Sequence, residues 1–266
     1  MKSRLAGLIE SMKVKHEWHT DFFKDSFYNP ATPAAVAQAP MEVDFILNRL
    51  RLRKEARLLD LCCGPARHAA LIARKGLNVT GYDFSADYLK EAAARAKEKK
   101  TRLDLIRGDM RELNFNSEFD AVISLFTSFG YFQKFSDDMK VLKGVSRALK
   151  PGGQFMIDVV HGDFIRGNFR ARDWRLLENG SYCLEESVLT NNKTGMFSTW
   201  TVISKTGKSV KKSFFSRLYG RRTLASALTA AGLKPLKFWG SFHGDKLTDK
   251  ADRLIILAMK PGKIQA

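Results

Sequence analysis

Cysteine is scarce in this chain: 266 residues contain only Cys62, Cys63 and Cys183. An odd number with one adjacent pair excludes a disulfide scaffold. It also lacks the CxxC spacing and nearby histidines of a zinc site. The expectation is free thiols in a reducing compartment and no bound metal. No stretch approaches the roughly 20 consecutive apolar residues of a membrane-spanning helix. The opening segment MKSRLAGLIESMKVKHEW breaks its short apolar run with charge and has no small-residue cleavage site. We therefore expect a soluble, cytoplasmic protein without a membrane partner. Internal repeats and low-complexity tracts are also missing, which argues against a solenoid or a disordered chain. Acidic residues are few, 28 against 45 Lys and Arg, and the formal charge of +17 is a bias that accompanies anionic partners, RNA among them. With 44% hydrophobic residues, the chain has enough to bury one core plus an appendage, but it is too short for two full enzyme domains.

The pattern changes character twice along the chain. Residues 1–55 read as a helical arm or cap: Trp18, Phe22, Phe23, Phe27 and Tyr28 precede the loop NPATPAAVAQAP, after which Met41, Val43, Phe45, Ile46, Leu47 and Leu50 take a helical spacing. From residue 56 to 161, short apolar runs alternate with helical patterns, which predicts an α/β fold: a parallel, doubly wound sheet with crossover helices. Gly76 and the Pro151-Gly152-Gly153 run stand where helices stop. Residues 162–220 break this rhythm with SYCLEESVLT, GMFSTWTVIS and KSVKKSFFSRLYG, an inserted antiparallel β lid. Residues 221–266 return to one helix and two strands, completing a seven-stranded, mostly parallel sheet.

In such a sheet, ligands bind beyond the carboxyl ends of the strands. The turn after LLDLCC has neither the GxGxxG of a dinucleotide site nor the GxxxxGK of a phosphate loop, so NAD and ATP are disfavoured. Instead Asp60, Asp83 and Asp109 end three successive strands at the same edge. Carboxylates accept hydrogen bonds from ribose hydroxyls and an adenine amino group but repel phosphates. The expected ligand is a nucleoside without phosphates.

LLDLCCGPARH, VTGYDFS, GDM, FDAVISLF and LKPGGQFMID, in that order, resemble the motifs of the class I S-adenosylmethionine-dependent methyltransferases, with a Rossmann-like core. The resemblance runs from about 57 to 160 and resumes at 221. The N-terminal FFKDSFY and the insertion are similar to those of small-molecule methyltransferases. The resemblance implies S-adenosylmethionine as cofactor and S-adenosylhomocysteine as product. It implies that Asp60, Cys62, Cys63 and Gly64 lie at the methionyl part, Asp83 with Phe84 at the ribose, and Asp109 with Met110 at the adenine. Leu125 completes the set, and Tyr28 closes over the cofactor from the arm. Where the family often has glycine, this chain has Cys62 and Ala66.

Methyl transfer from a sulfonium is an in-line displacement, and alignment supplies most of its acceleration. The segment LFTSFGYF places Leu125, Phe126, Phe129 and Tyr131 along the methyl-transfer site. His161, directly after strand five, is the leading general base, and with Tyr131 it forms the catalytic pair of candidates. His16, His19, His68 and His243 read as solvated or capping residues. Asp60 is expected to orient its loop by accepting backbone N–H bonds, and Asp120 and Asp158 to be structural. The insertion is expected to decide the substrate. Its segment 205–222 carries seven basic residues interleaved with aromatics, which matches the footprint of RNA binding and equally suits a small anionic acceptor. The leading reading is methylation of a small molecule. RNA methylation and a non-catalytic S-adenosylmethionine-binding protein are the alternatives, as monomer or homodimer.

Overall fold

The computed structural model describes residues 14, 17–23, 27–190 and 192–262. His16 lies outside them, as do Lys24, Asp25 and Ser26 of the arm. Seven strands form the main sheet: β1 (Arg57–Leu61), β2 (Asn78–Asp83), β3 (Asp104–Arg107), β4 (Phe119–Ser124), β5 (Leu149–Val160), β10 (Lys234–Trp239) and β11 (Arg253–Met259). Their order is β10-β11-β5-β4-β1-β2-β3. β1 to β5 run parallel, and β11 is antiparallel to both β5 and β10. The central strands are apolar at nearly every position because helices cover both faces of the sheet. The cores on the two faces are distinct. One is centred on Phe119, Leu142 and Phe155, the other on Ile46, Ile72 and Ile123. Chain order reverses between β1 and β4, the switch point at which this class of sheet opens a ligand crevice.

Local chemistry sets the flanking helices. α2 (Pro33–Leu50) begins with Pro33 at its first position, and the Thr32 side chain accepts from the Ala35 N–H at 3.3 Å. It buries Ala39, Val43, Ile46 and Leu50, one stripe at three- and four-residue spacing. α4 (Ala86–Glu98) is capped by Ser85, whose hydroxyl accepts from Tyr88 N–H at 3.3 Å, and buries Tyr88, Ala92 and Ala96. α3 (Ala69–Arg74), α5 (Phe135–Ala148) and α7 (Arg221–Ala230) complete the layers, with short α1 (His19–Phe22) in the arm and α6 (Gly162–Gly167) after β5.

The insertion forms a second, antiparallel sheet in the order β6-β7-β8-β9: β6 (Arg172–Leu176), β7 (Tyr182–Leu189), β8 (Gly195–Ile203) and β9 (Ser209–Arg217). The sequence pointed to three of these strands. β6 escaped because all five of its residues are exposed, and its apolar alternation is only two residues long, Trp174 and Leu176. The arm packs on the inner face of this sheet through Trp18, Phe22 and Phe214, joined by Phe23, Phe27, Tyr28, Tyr131 and Trp200. Arg217, at the end of β9, clamps the sheet to the core. Its Nε donates to the fully buried Asp138 carboxylate at 2.7 Å, and its NH2 donates to the Phe132 and Gln133 carbonyls at 3.0 and 2.9 Å. Among the described residues, no helix is long and apolar enough to cross a membrane.

Candidate active site

A cleft of about 1000 Å³, open to solvent, lies at the switch point. The turn after β1 forms its floor. Cys62, Gly64 and Ala66 have φ of +62°, +52° and +58°, so the two positions where the family often has glycine do adopt the left-handed backbone that glycine favours. Each non-glycine residue there costs about 1–2 kcal/mol. Hydrogen bonds hold the turn against that strain. The Cys62 and Cys63 N–H groups both donate to the Tyr82 carbonyl, at 2.7 and 3.2 Å.

Asp83, at the end of β2, ties the turn to α4. It accepts from Gly64 N–H and Ser85 N–H, both at 2.9 Å, one on each carboxylate oxygen. Each oxygen retains a lone pair for a ligand hydroxyl. The expectation that Asp60 orients the loop is therefore corrected, since Asp83 makes those bonds. Asp60 has no side-chain hydrogen bond among the described residues, although it is 3% exposed and lines the cleft. Burial, with the nearby Asp83 charge adding and Arg67 opposing, pushes its carboxyl up to about 7.

This shift has a sign that can be checked. A carboxyl raised above its unfolded value binds more protons in the folded state between about pH 4 and 7, so its contribution to stability is lost as pH rises through 7. Asp60→Asn is expected to exceed the unsubstituted protein in stability in urea denaturation at both pH 5 and pH 8, by a clearly larger margin at pH 8, because the loss builds up from about pH 4 to 7. Identical differences at both values would reject the assignment.

On the adenine side expected from the sequence, Met110 Sδ lies 3.6 Å from the Cys62 sulfur. Burial pushes the Cys62 and Cys63 thiols well up, with the aspartate charges adding, so neither is a thiolate. Burial alone would raise Asp109, but Arg111 donates from Nε to both of its oxygens at 3.0 Å and brings it below the usual carboxylate range. Phe84 lies beside this group. The His19 ring meets Phe84 and Phe132 edge-on, with centroids 5.5 and 6.0 Å apart, and its Nε2 is 3.2 Å from Glu17. His19 was read as a solvated residue, yet it lines the cleft. Only docking of the arm brings it there.

The arm also contributes Phe23, Tyr28 and Pro30 to the lining, and Tyr88 O–H donates to the Tyr28 carbonyl at 2.7 Å. Leu125, Phe126, Ser128, Tyr131 and Phe132, after β4, form the opposite wall. Trp18 of the arm holds this wall by donating to the Tyr131 carbonyl at 3.2 Å. Phe126 and Thr127 both lie in the left-handed region, at φ +54° and +58°. Asp158 makes that turn possible, because its carboxylate accepts from Phe126 N–H at 2.7 Å and its carbonyl from Thr127 N–H at 3.0 Å. Arg253 in turn donates to Asp158 from Nε at 3.0 Å.

Thus Tyr28, Asp60, Cys62, Cys63, Gly64, Asp83, Phe84, Asp109, Met110, Leu125 and Tyr131 all line one cleft. His161 does not. It is 2% exposed, its backbone N–H donates to Asp252 at 2.8 Å, its Nδ1 lies 2.9 Å from the Ala251 carbonyl, and its Nε2 is 3.3 Å from Asp163. These contacts pin it to the segment before β11, so it is corrected from general base to a buried structural residue. Phe129 is likewise packed in the core, stacked on Tyr219 at 5.3 Å. His68 is no exposed cap. It is buried, 2.7 Å from Glu42, and burial lowers its pKa below the usual value. Sequence reasoning also passed over Arg67, which is 8% exposed in the cleft wall with its guanidinium 3.8 Å from the Phe126 ring centroid.

The insertion departs most from expectation, since none of its residues lines the cleft. Trp200 and Phe214 stand one layer behind, against Phe22 at 5.6 and 5.0 Å between ring centroids. Phe214 and Phe215 are 9% and 4% exposed, so they are not free to stack on bases. Arg217 is spent on Asp138. Asp120 is structural as expected, held by Lys150 and by Arg57 N–H, each at 2.8 Å.

The cleft fits a cationic nucleoside. Asp83 has free lone pairs for a ribose, and Asp60 is a buried carboxyl without a hydrogen-bond partner among the described residues, suited to a positive charge. Comparison with known proteins agrees. A methyltransferase-domain family signature matches residues 58–153. The chain is 27% identical over 227 residues, 81% of its own length and 90% of the other's, to a dTDP-3-amino-3,4,6-trideoxy-alpha-D-glucopyranose N,N-dimethyltransferase from Streptomyces venezuelae. It is 37% identical over 110 residues to a demethylmenaquinone methyltransferase from Listeria welshimeri, but spans only 45% of that protein's length. An S-adenosylmethionine-dependent methyltransferase structure from Clostridium acetobutylicum superposes with a TM-score of 0.72 at 21% identity, covering 84% of this chain and 92% of that one. Sheet order, the turn held by Asp83 and these likenesses converge: residues 58–153 match a methyltransferase domain, and the chain has the fold of the class I S-adenosylmethionine-dependent methyltransferases.

Proposed function

We propose that the protein transfers a methyl group from S-adenosylmethionine to a small-molecule acceptor. The observation that carries this reading is the junction of a carboxylate-anchored nucleoside floor with an aromatic wall built jointly by the arm and the segment after β4. The cofactor, when bound, supplies an electrophilic methyl group on a sulfonium. The chain's residues orient it and exclude water. Asp83 and the turn after β1 fix the nucleoside, Asp60 answers positive charge, and the rings of Phe23, Tyr28, Tyr131 and Phe132 keep the reacting centre dry. Burial pushes the Tyr131 hydroxyl well up, so it stays a phenol and acts as a hydrogen-bond donor, not a base.

With His161 outside the cleft, the acceptor that suits this site is one whose nucleophile needs little help losing a proton, such as a neutral amine. The Streptomyces venezuelae relative, named for dimethylating a nucleotide-linked amino sugar, supports that class. The arm (1–55) and the insertion (162–220) serve as one cover over the core (56–161 with 221–266), the arm touching the ligands and the sheet backing the arm. The test is calorimetric binding of S-adenosylmethionine, followed by transfer of its labelled methyl group to pools of amino sugars, amines, quinols and RNA. Labelling of an amine supports the proposal, and cofactor binding without turnover on any pool rejects it. Tyr131→Phe is expected to leave cofactor affinity within twofold and to lower kcat about tenfold, a loss of roughly 1.4 kcal/mol of transition-state stabilisation.

A further inference from the structure

The outer face of the second sheet carries an apolar patch that no described element covers. Trp174 and Leu176 of β6 are 63% and 61% exposed, and Tyr182 and Leu184 of β7 are 49% and 41% exposed. Register puts all four on the same face: Trp174 pairs with Leu184 and Leu176 with Tyr182. The opposite face is occupied, with Arg175 lying 4.4 Å over the Trp200 ring and Trp200 against the arm. These four side chains expose on the order of 400 Å² of apolar surface, at the level that marks an interaction site.

Among the described residues β6 is also a free edge. The other edge, β9, is met by the arm, where Lys212 donates to the Asp21 carbonyl at 2.5 Å. On β6, the bonds from Ser187 N–H to Ala171 and from Leu177 N–H to Ser181 place the inward-bonding backbone at odd positions. The N–H and C=O groups of Arg172, Trp174 and Leu176 therefore point outward. The strand has none of the prolines or lysines that usually blunt an edge. Only the Asp173 carboxylate shields it, accepting from Trp174 N–H at 2.9 Å.

The order Arg172-Asp173-Trp174-Arg175-Leu176 is self-complementary about Trp174. A second copy, antiparallel with its dyad on Trp174, sets Asp173 opposite Arg175 twice over and Arg172 opposite Leu176. Moving the dyad to residue 173 or 175 sets aspartate against aspartate or arginine against arginine, which is unfavourable across strands. We propose that the protein forms a two-fold dimer in which β6 pairs with β6 of a second copy, joining the two four-stranded sheets into one of eight strands. Asp173 exchanges its local bond to Trp174 N–H and its exposed pair with Arg170 for the partner's arginine, which shares its guanidinium with Glu185 at 2.8 Å, and the two apolar patches lie side by side about the dyad. The contact is a short strand pair with Trp174 packed on its counterpart across the seam, which places it among weak interfaces, so micromolar dimerisation is expected.

Sedimentation velocity from 1 to 100 µM tests this on the full chain. The expected result is a rise from 30.0 kDa to twice that mass. Trp174→Glu and Asp173→Arg should each hold the protein at the monomer mass, with circular dichroism and thermal midpoint unchanged. Asp173→Arg combined with Arg175→Asp restores the opposite-charge register and should recover the dimer. A wild-type protein that stays monomeric at 100 µM, or a dimer that both single variants leave intact, overturns the proposal.

Discussion

Arg253→Met is expected to destabilise the protein by about 3–5 kcal/mol, the usual consequence of stranding a buried charge, and to weaken cofactor binding with it. Asp158 is fully buried. Its carboxylate has two tasks, pairing with Arg253 and accepting from Phe126 N–H at 2.7 Å. Methionine keeps an unbranched apolar stem but removes the guanidinium, and with it both the countercharge and the cation–π contacts over the Phe126 and Phe242 rings. For a chain of this size each kcal/mol lowers Tm by about 2–4 °C, so thermal and urea denaturation both resolve the effect. The double variant Asp158→Leu with Arg253→Met separates the two tasks. It should recover most of the stability, since an apolar pair replaces a buried ion pair well. Cofactor affinity should stay reduced, because the left-handed turn has lost the acceptor of Phe126 N–H, although Thr127 N–H keeps its main-chain one. A single variant that loses less than about 1 kcal/mol would show that water already reaches Asp158.

Asp83→Ala is expected to weaken S-adenosylmethionine binding about 100-fold in calorimetric titration, close to 3 kcal/mol. Two ribose hydroxyls lose a charged acceptor worth about 1.5–3 kcal/mol each, and the Gly64 and Ser85 N–H groups lose theirs. Asp83→Asn keeps the shape and part of the acceptor capacity and should lose about tenfold. S-adenosylhomocysteine has the same ribose, so its affinity should fall by the same factor. A selective loss of S-adenosylmethionine binding would mean that Asp83 acts on the cofactor's positive charge instead, the task assigned here to Asp60.

The core was legible in the sequence because strands covered on both faces leave near-continuous apolar runs, and the crossover helices between them keep a regular spacing. The same regularity placed Asp60, Asp83 and Asp109 at one sheet edge, and the positive φ values of Cys62 and Ala66 explain why those positions drew attention as glycine positions. His161 shows where this kind of inference stops. Position along a strand gives the height of a residue in the sheet but not its surroundings, and the segment Ala251–Asp252, ninety residues away in sequence, claims the imidazole. His19 fails in the opposite sense. Nothing local to Trp18 or Phe22 reveals that their partners are Tyr131 and Phe214. β6 was invisible because its alternation is only two apolar residues long, Trp174 and Leu176, and faces no core.

The arm's contacts also bear on the order in which the molecule is assembled. Trp18 bonds to Tyr131 across 113 residues, and Lys212 reaches back to Asp21 across 191. Contacts of such separation form late, since loop closure must precede them. During synthesis the arm emerges before the core, yet its last docking surface on β9, with Phe214 and Lys212, is made only after the 191 residues that separate Lys212 from Asp21. The turn after β1 and its aspartates are made long before anything covers them. The cleft therefore acquires its floor well before its roof, which waits until β9 has been made.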